Sequence, residues 1–342
     1  MRLTQLREAA LSGAGKRKSF AEGGGQMTVQ TRTDQLDLQG VGHPDEVRDV
    51  YERILADARV GHRYIRTPSG RRVHLVEAGE GRPCILLHGG GTSSLSHLPM
   101  LAQLEGVRAI NVDRPGFGLS DPLCVSRHRY RDAAIEFINE VADVLELESF
   151  ALAGASGGGL WALWYALAHP ERVRQLVLLT AIPLLPGTRV PALLQVMVTP
   201  VLGDLLARVR PSPAMVVRFM SAMGERDTIP RHPELVESLV AAGRDPIASA
   251  ATLAEYRALL SPFGFRPSMR VDAESLRRLT VPTLVIWGDH DPTGSVEAAR
   301  RTTSLIPDAR LEVLPAGHVT WLGHARRVAE LLSGFVRSDT SE

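Results

Sequence analysis

Two cysteines, Cys84 and Cys124, are all the thiols the 342-residue chain has. They are too few for a disulfide framework, and Cys84 falls in an apolar strand-like run, so a reduced compartment is expected. Long hydrophobic runs are missing as well. None approaches the roughly 18 residues a membrane span needs, and the opening segment MRLTQLREAALSGAGKRKSFAEGGG lacks the apolar stretch of a secretory signal. Charge of one sign is also absent. The 39 basic residues nearly cancel the 38 acidic ones to leave a formal net charge of +1, so no overall field draws the chain to nucleic acid or to an anionic membrane. These absences predict a cytoplasmic protein with no nucleic acid and no membrane as partner, and leave its oligomeric state, monomer or homodimer, open.

What is present divides the chain. Residues 1 to 42 are rich in Gly, Ser, Thr and Gln and show no periodicity, which predicts a disordered tail. Its basic cluster Lys16-Arg17-Lys18 reads as a solvated patch, with an address or anion site as the alternative. The run AEGGGQ before Met27 is what a purine-rich ribosome-binding sequence would encode, so Met27 is a candidate start. Pro44 opens an amphipathic helix over 43–60, with Val47, Val50, Ile54 and Leu55 on one face.

From Arg63 the runs HRYIRT and RRVHLVEAG, joined by Pro68-Ser69-Gly70, predict an antiparallel hairpin. Six continuous apolar runs follow, at 83–88, 107–113, 150–155, 173–181, 281–289 and 309–315, the pattern of strands covered on both faces. Helical stretches separate them at about 94–104, 129–147, 157–169, 294–305 and 324–336. Such alternation predicts an α/β fold built on a parallel, doubly wound sheet. Between Ile182 and about Ser275 the alternation stops. That block is proline-punctuated, rich in Met and Leu and without a clear strand, and predicts a helical insertion of four or so short helices, some starting at Ser212-Pro213 and His232-Pro233.

Ligands of open α/β sheets bind at the carboxyl ends of the strands, which directs attention to the loops there. Gly154-Ala155-Ser156-Gly157-Gly158 fits G-x-S-x-G between a strand and a helix, the turn that pushes a nucleophilic serine into the open. A phosphate-binding G-x-G-x-x-G is excluded because Ser156 stands at the middle glycine, and no P-loop Lys follows. A structural serine in a turn stays open on this motif alone. In Leu87-His88-Gly89-Gly90-Gly91-Thr92 the glycines let a backbone N–H face a substrate carbonyl. Gly90, with Gly157, is the candidate oxyanion hole, while His88 reads as structural. Trp287-Gly288-Asp289-His290-Asp291 offers an acid; Asp291 is set ahead of Asp289, which would tie the loop. Leu314-Pro315-Ala316-Gly317-His318 offers the base. The chain order Ser156, Asp291, His318 is the order of one class of serine hydrolase and not of others.

With LLHGGGT, DRPGFGLSD, GASGGG, WGDHD and AGHVTWL in sequence, residues 62 to 338 resemble the α/β-hydrolase family, in its capped branch related to meta-cleavage-product hydrolases, epoxide hydrolases, dehalogenases and cofactor-free haloperoxidases. The resemblance implies a mostly parallel eight-stranded sheet. It places the core at 43–182 and 276–338 and a helical cap at 183–275, with Ser156 as nucleophile, Asp291 as acid and His318 as base. DRPGFGLS then looks like a conformational signature of the loop after the fourth strand. Serine at the nucleophile position argues against the epoxide hydrolase and dehalogenase activities, which use Asp there. Some relatives carry the acid after the sixth strand, but Thr180-Ala181-Ile182-Pro183 has no carboxylate. HGGGT and His324-Ala325 look more like the carbon-carbon bond hydrolases, whose elbow, however, typically reads Ser-Met-Gly-Gly.

The function expected is therefore hydrolysis of a small-molecule substrate, a carboxylic ester or lactone, by acyl transfer. The alternatives are a carbon-carbon bond hydrolase, a haloperoxidase or perhydrolase, and a non-catalytic binding protein on the same fold. No metal cluster or nucleotide signature stands out, so no cofactor is expected. Met215, Phe219, Met220 and Met223, spaced along one helical face, would line the substrate pocket or else fill the cap's own core.

Overall fold

The computed structural model describes residues 42–338, apart from 124, 200 and 207. The tail, its basic cluster, Met27 and Cys124 lie outside the described residues.

The first helix, α1 (Asp45–Ala58), starts after Pro44 and buries Val47, Val50, Tyr51, Ile54 and Leu55, the face its spacing predicts plus a tyrosine. It is followed by the antiparallel hairpin β1 (Gly61–Arg66) and β2 (Arg72–Ala78). The remaining strands of the main sheet are β3 (Arg82–Leu87), β4 (Val107–Val112), β5 (Phe150–Ala155), β6 (Val173–Leu179), β9 (Thr283–Gly288) and β10 (Ala309–Leu314). They assemble as an eight-stranded sheet in the order β1-β2-β4-β3-β5-β6-β9-β10, parallel from β4 through to β10. Helices α2 (Tyr130–Val144), α3 (Gly157–Ala168), α7 (Val296–Leu305) and α8 (Thr320–Arg337) cover it, with apolar cores on its two faces.

One strand departs from expectation. β10, expected to be covered on both faces, is the sheet's outer edge; only Leu314 of its six residues is fully buried, and Val313 is 39 % exposed. A run of alternating apolar and charged residues, ARLEVL, fits that half-covered position.

Between β6 and β9 lie two short helices (Ala192–Met197 and Leu202–Leu206), then α4 (Pro213–Met220), α5 (Pro233–Arg244) and α6 (Pro246–Leu259). Ser212 caps α4, accepting the Met215 N–H, and Asp245 caps α6, accepting the Ile247 N–H at 2.8 Å. Pro246 thus opens a helix, as Pro213 and Pro233 do. A two-residue hairpin, β7 (Leu260–Ser261) with β8 (Gly264–Phe265), also lies within this stretch expected to hold no strand. Pairs so short carry no alternation to read. Among the described residues no helix is long and apolar enough to cross a membrane.

The glycines behind the serine turn answer to crowding. A Cβ on Gly158 would stand 2.4 Å from the carbonyl oxygens of both Leu87 and His88, and one on Gly159 would stand 2.2 Å from Ile182 Cδ1. Helix α3 therefore packs backbone to backbone on β3, setting the turn directly over the strand ends. Gly158→Ala is expected to cost about 1–3 kcal/mol through forced displacement of that backbone, read as a lowered midpoint in urea denaturation.

Candidate active site

Ser156 sits between β5 and α3 at φ 49°, ψ −117°, a left-handed conformation that a non-glycine residue adopts only when its surroundings impose it. Its N–H donates to the Leu179 carbonyl at 3.2 Å, and its own carbonyl accepts the Leu160 N–H at 3.0 Å. The turn is thus fastened to β6 on one side and to α3 on the other, and its side chain faces a cavity.

Ser156, Gly90, Gly157, Thr180, Glu255, Tyr256, Thr293 and His318 all line that cavity, among mostly apolar walls. The Gly90 and Gly157 backbones meet there: a Cβ on Gly157 would lie 3.4 Å from the Gly90 nitrogen. The two candidate oxyanion residues are thus neighbours, one of them next to Ser156 in the chain.

The candidate acid and the candidate base are joined directly. His318 Nδ1–H donates to Asp291 Oδ2 at 2.8 Å. The same oxygen accepts the Ala181 N–H at 3.2 Å, while Oδ1 accepts the Thr293 N–H at 2.8 Å and its hydroxyl at 2.7 Å. The Asp291 carboxylate thereby fills the place at the end of β6 that Thr180-Ala181 leaves without one. Burial opposes its charge, but the His318 imidazolium and the Thr293 donors outweigh burial and hold its carboxyl below the usual range. Burial likewise opposes protonation of His318, and the adjoining Asp291 charge overrides it, raising the imidazole above its ordinary 6.5.

Asp289, expected to tie its loop, accepts the Ala316 N–H at 3.1 Å and pairs with His290 on the exposed side. His88 is fully buried. It donates from Nδ1 to the Gly89 carbonyl at 2.8 Å and accepts the Arg114 N–H at Nε2 at 2.9 Å, and burial beside Arg114 drives its pKa down to about 3. It is a neutral brace under the glycine loop 89–91. The DRPGFGLS loop is a knot around Asp113, whose oxygens accept Ser94 N–H, Leu119 N–H and His74 Nδ1–H at 2.8, 3.1 and 2.7 Å.

Phe219, Met220 and Met223 line the cavity; Met215 does not. The buried stripe of α4 and the turn after it is Val216, Met220 and Met223, and Met215, one residue off that stripe, is 48 % exposed. Three residues that no sequence motif marks also stand here. Thr293 holds Asp291; Glu255 of α6 lies between Gly157 and Arg114, with Oε1 2.5 Å from where a Gly157 Cβ would be; and Glu225 abuts the His318 loop. Among the described residues no cluster of His, Cys, Asp or Glu has the makings of a metal site. Cys84 is free and buried in β3, its thiol pushed up to about 12 by burial.

Residues 82–325 match the sequence model of the alpha/beta hydrolase fold family. Among curated proteins, the chain is 27% identical over 283 residues to the 2-hydroxy-6-oxononadienedioate/2-hydroxy-6-oxononatrienedioate hydrolase of Comamonas testosteroni, covering 78% of this chain and 92% of that one. It is also 27% identical over 277 residues to the pimeloyl-[acyl-carrier protein] methyl ester esterase of Shewanella sp. strain MR-7, covering 79% and 97%. Among solved structures, the carboxylesterase CesB of Bacillus subtilis superposes with a TM-score of 0.68 at 24% identity, covering 85% of this chain and 97% of that one.

Proposed function

The chain belongs to the alpha/beta hydrolase fold family, and we propose that it is a serine hydrolase cleaving a small carboxylic ester or lactone through Ser156, His318 and Asp291. The observation that carries this reading is the 2.8 Å bond from His318 to Asp291 on the cavity that the strained Ser156 turn also faces. His318 Nε2 takes the Ser156 proton as Oγ attacks the substrate carbonyl. The Gly90 and Gly157 amides receive the oxyanion, and the imidazolium, steadied by Asp291, returns the proton to the leaving alkoxide. Water then enters by the same route in reverse roles and releases the acid. The helices between β6 and β9 serve as the cap over this cavity. Every group in the cycle belongs to the chain, so no cofactor enters it.

The lining is mostly apolar; its Glu255 carboxylate is already paired with Arg114, and Arg189 also stands in the cavity wall. A carbon-carbon bond hydrolase is the second reading, favoured by the name of the Comamonas relative. Hydrolysis of p-nitrophenyl acetate and butyrate beside a vinylogous diketone, together with fluorophosphonate labelling mapped to Ser156, tests both. Faster cleavage of the diketone would put the second reading first, and a label that misses Ser156 would remove the nucleophile.

The imidazole must be neutral to act as base, and Asp291 holds its pKa above 6.5. Activity is therefore expected to fall on acidification with an inflection above pH 6.5. In Asp291→Asn the remaining activity should be far lower and its inflection shifted to lower pH, measured as kcat/KM against pH.

A further inference from the structure

The loop carrying His318 is held from two sides. Asp291 grips the imidazole, while the segment after α4 grips the backbone: His318 N–H donates to the Met223 carbonyl at 2.9 Å, and Val319 N–H donates to Glu225 Oε1 at 2.8 Å. Fit at this seam is close. A Cβ on Gly317 would lie 2.6 Å from Glu225 Oε1, and Gly224, at φ 88°, lets the chain turn against Gly317. The second Glu225 oxygen accepts the Thr228 hydroxyl. Glu225 is 1 % exposed, and among the described residues no arginine or lysine pairs with it. A buried carboxylate without a cation is a costly thing to keep, and its position beside the base gives it a use.

We propose that Glu225 is a positioning residue for His318, which fastens the cap to the base's loop and sets a second negative charge beside the imidazole. Asp291 would act on the ring through its hydrogen bond and Glu225 on the loop and the local field. The inference rests on the reading of His318 as base. Burial pushes the Glu225 carboxyl above its ordinary value, against the Thr228 and Val319 donors and the His318 charge. The other ionisable groups around His318 are accounted for. Glu255 of α6 is cancelled by Arg114, His88 under the oxyanion loop is neutral, and Asp289 and His290 pair with each other on the exposed side.

Glu225→Gln keeps an acceptor for Val319 N–H and removes the charge. Titration of the His318 imidazole by NMR in the full-length protein should then show its pKa lowered by about 0.5–1 pH unit, with kcat reduced several-fold and KM changed less than twofold. Thr228→Val, which strips one donor from the carboxylate, should move His318 the same way by less, and it carries the test if Glu225→Gln does not fold. An unshifted His318 in either folded variant overturns the proposal. Because the titration needs no turnover, a protein that fails to hydrolyse esters counts against the hydrolase reading alone, and the role of Glu225 is decided by the titration.

Discussion

Ser156→Ala is expected to lower kcat for p-nitrophenyl butyrate by about 10⁴–10⁶-fold and to abolish fluorophosphonate labelling, with KM nearly unchanged. Alanine removes Oγ and nothing else that the cavity wall touches. Equal activity in the variant and the parent would remove Ser156 from the mechanism. A companion variant separates chemistry from fold. A non-glycine residue at φ 49°, ψ −117° stores about 1–3 kcal/mol of backbone strain, so Ser156→Gly should be as inactive as alanine yet more stable than the parent by about 1 kcal/mol in urea denaturation. Instability of that variant would show that the turn is not strained against its sequence.

The largest effect on stability is expected from the pair Arg114 and Glu255. The guanidinium and carboxylate meet through two hydrogen bonds of 3.0 and 3.1 Å, both groups buried. Arg114 lies 4.9 Å from the Trp161 ring centre and 5.0 Å from that of Phe117, so aromatic rings flank the guanidinium. Removing either member leaves the other charge stranded, at a cost of about 3–5 kcal/mol, whereas replacing both with apolar residues of like volume is often nearly neutral. Arg114→Met and Glu255→Leu should each fall in that range, and the double variant should recover most of the loss. The two single variants also differ in activity. Arg114→Met leaves an uncompensated carboxylate beside the Gly157 and Gly90 amides, where the oxyanion develops, so kcat should drop more steeply than in Glu255→Leu. Additive stability losses in the double variant would show that the pair does not act as one unit.

The sheet was legible because strands buried on both faces are nearly unbroken apolar runs; FALAGA at 150–155 is a strand to the residue. Ser156, Gly90, Asp291 and His318 were legible because each follows a strand end with its own local motif, and motifs survive without tertiary information. Glu255 and Glu225 carried no such mark. Each lies in a helical segment where a glutamate is ordinarily solvated, and only the way the cap folds back brings one to Arg114 and the other to Val319 N–H. Thr293 was closer to hand, two residues past Asp291, in the Asp-x-Thr spacing by which an aspartate ties its own loop. Met215 shows the opposite failure: it shares a helix face with Phe219, yet one turn nearer the helix start it lies outside the cavity lining and is exposed.

The order of strands across the sheet also differs from their order of synthesis. β6, entirely apolar over Leu176–Leu179, pairs on its outer side with β9, whose residues follow more than a hundred positions later. During translation β6 is thus a bare hydrogen-bonding edge beside an already assembled β5, the condition under which strands recruit wrong partners. Asp291 and His318 arrive only with that late segment. A ribosome-bound chain halted before Thr283 would carry the Ser156 turn and an open sheet edge but neither Asp291 nor His318.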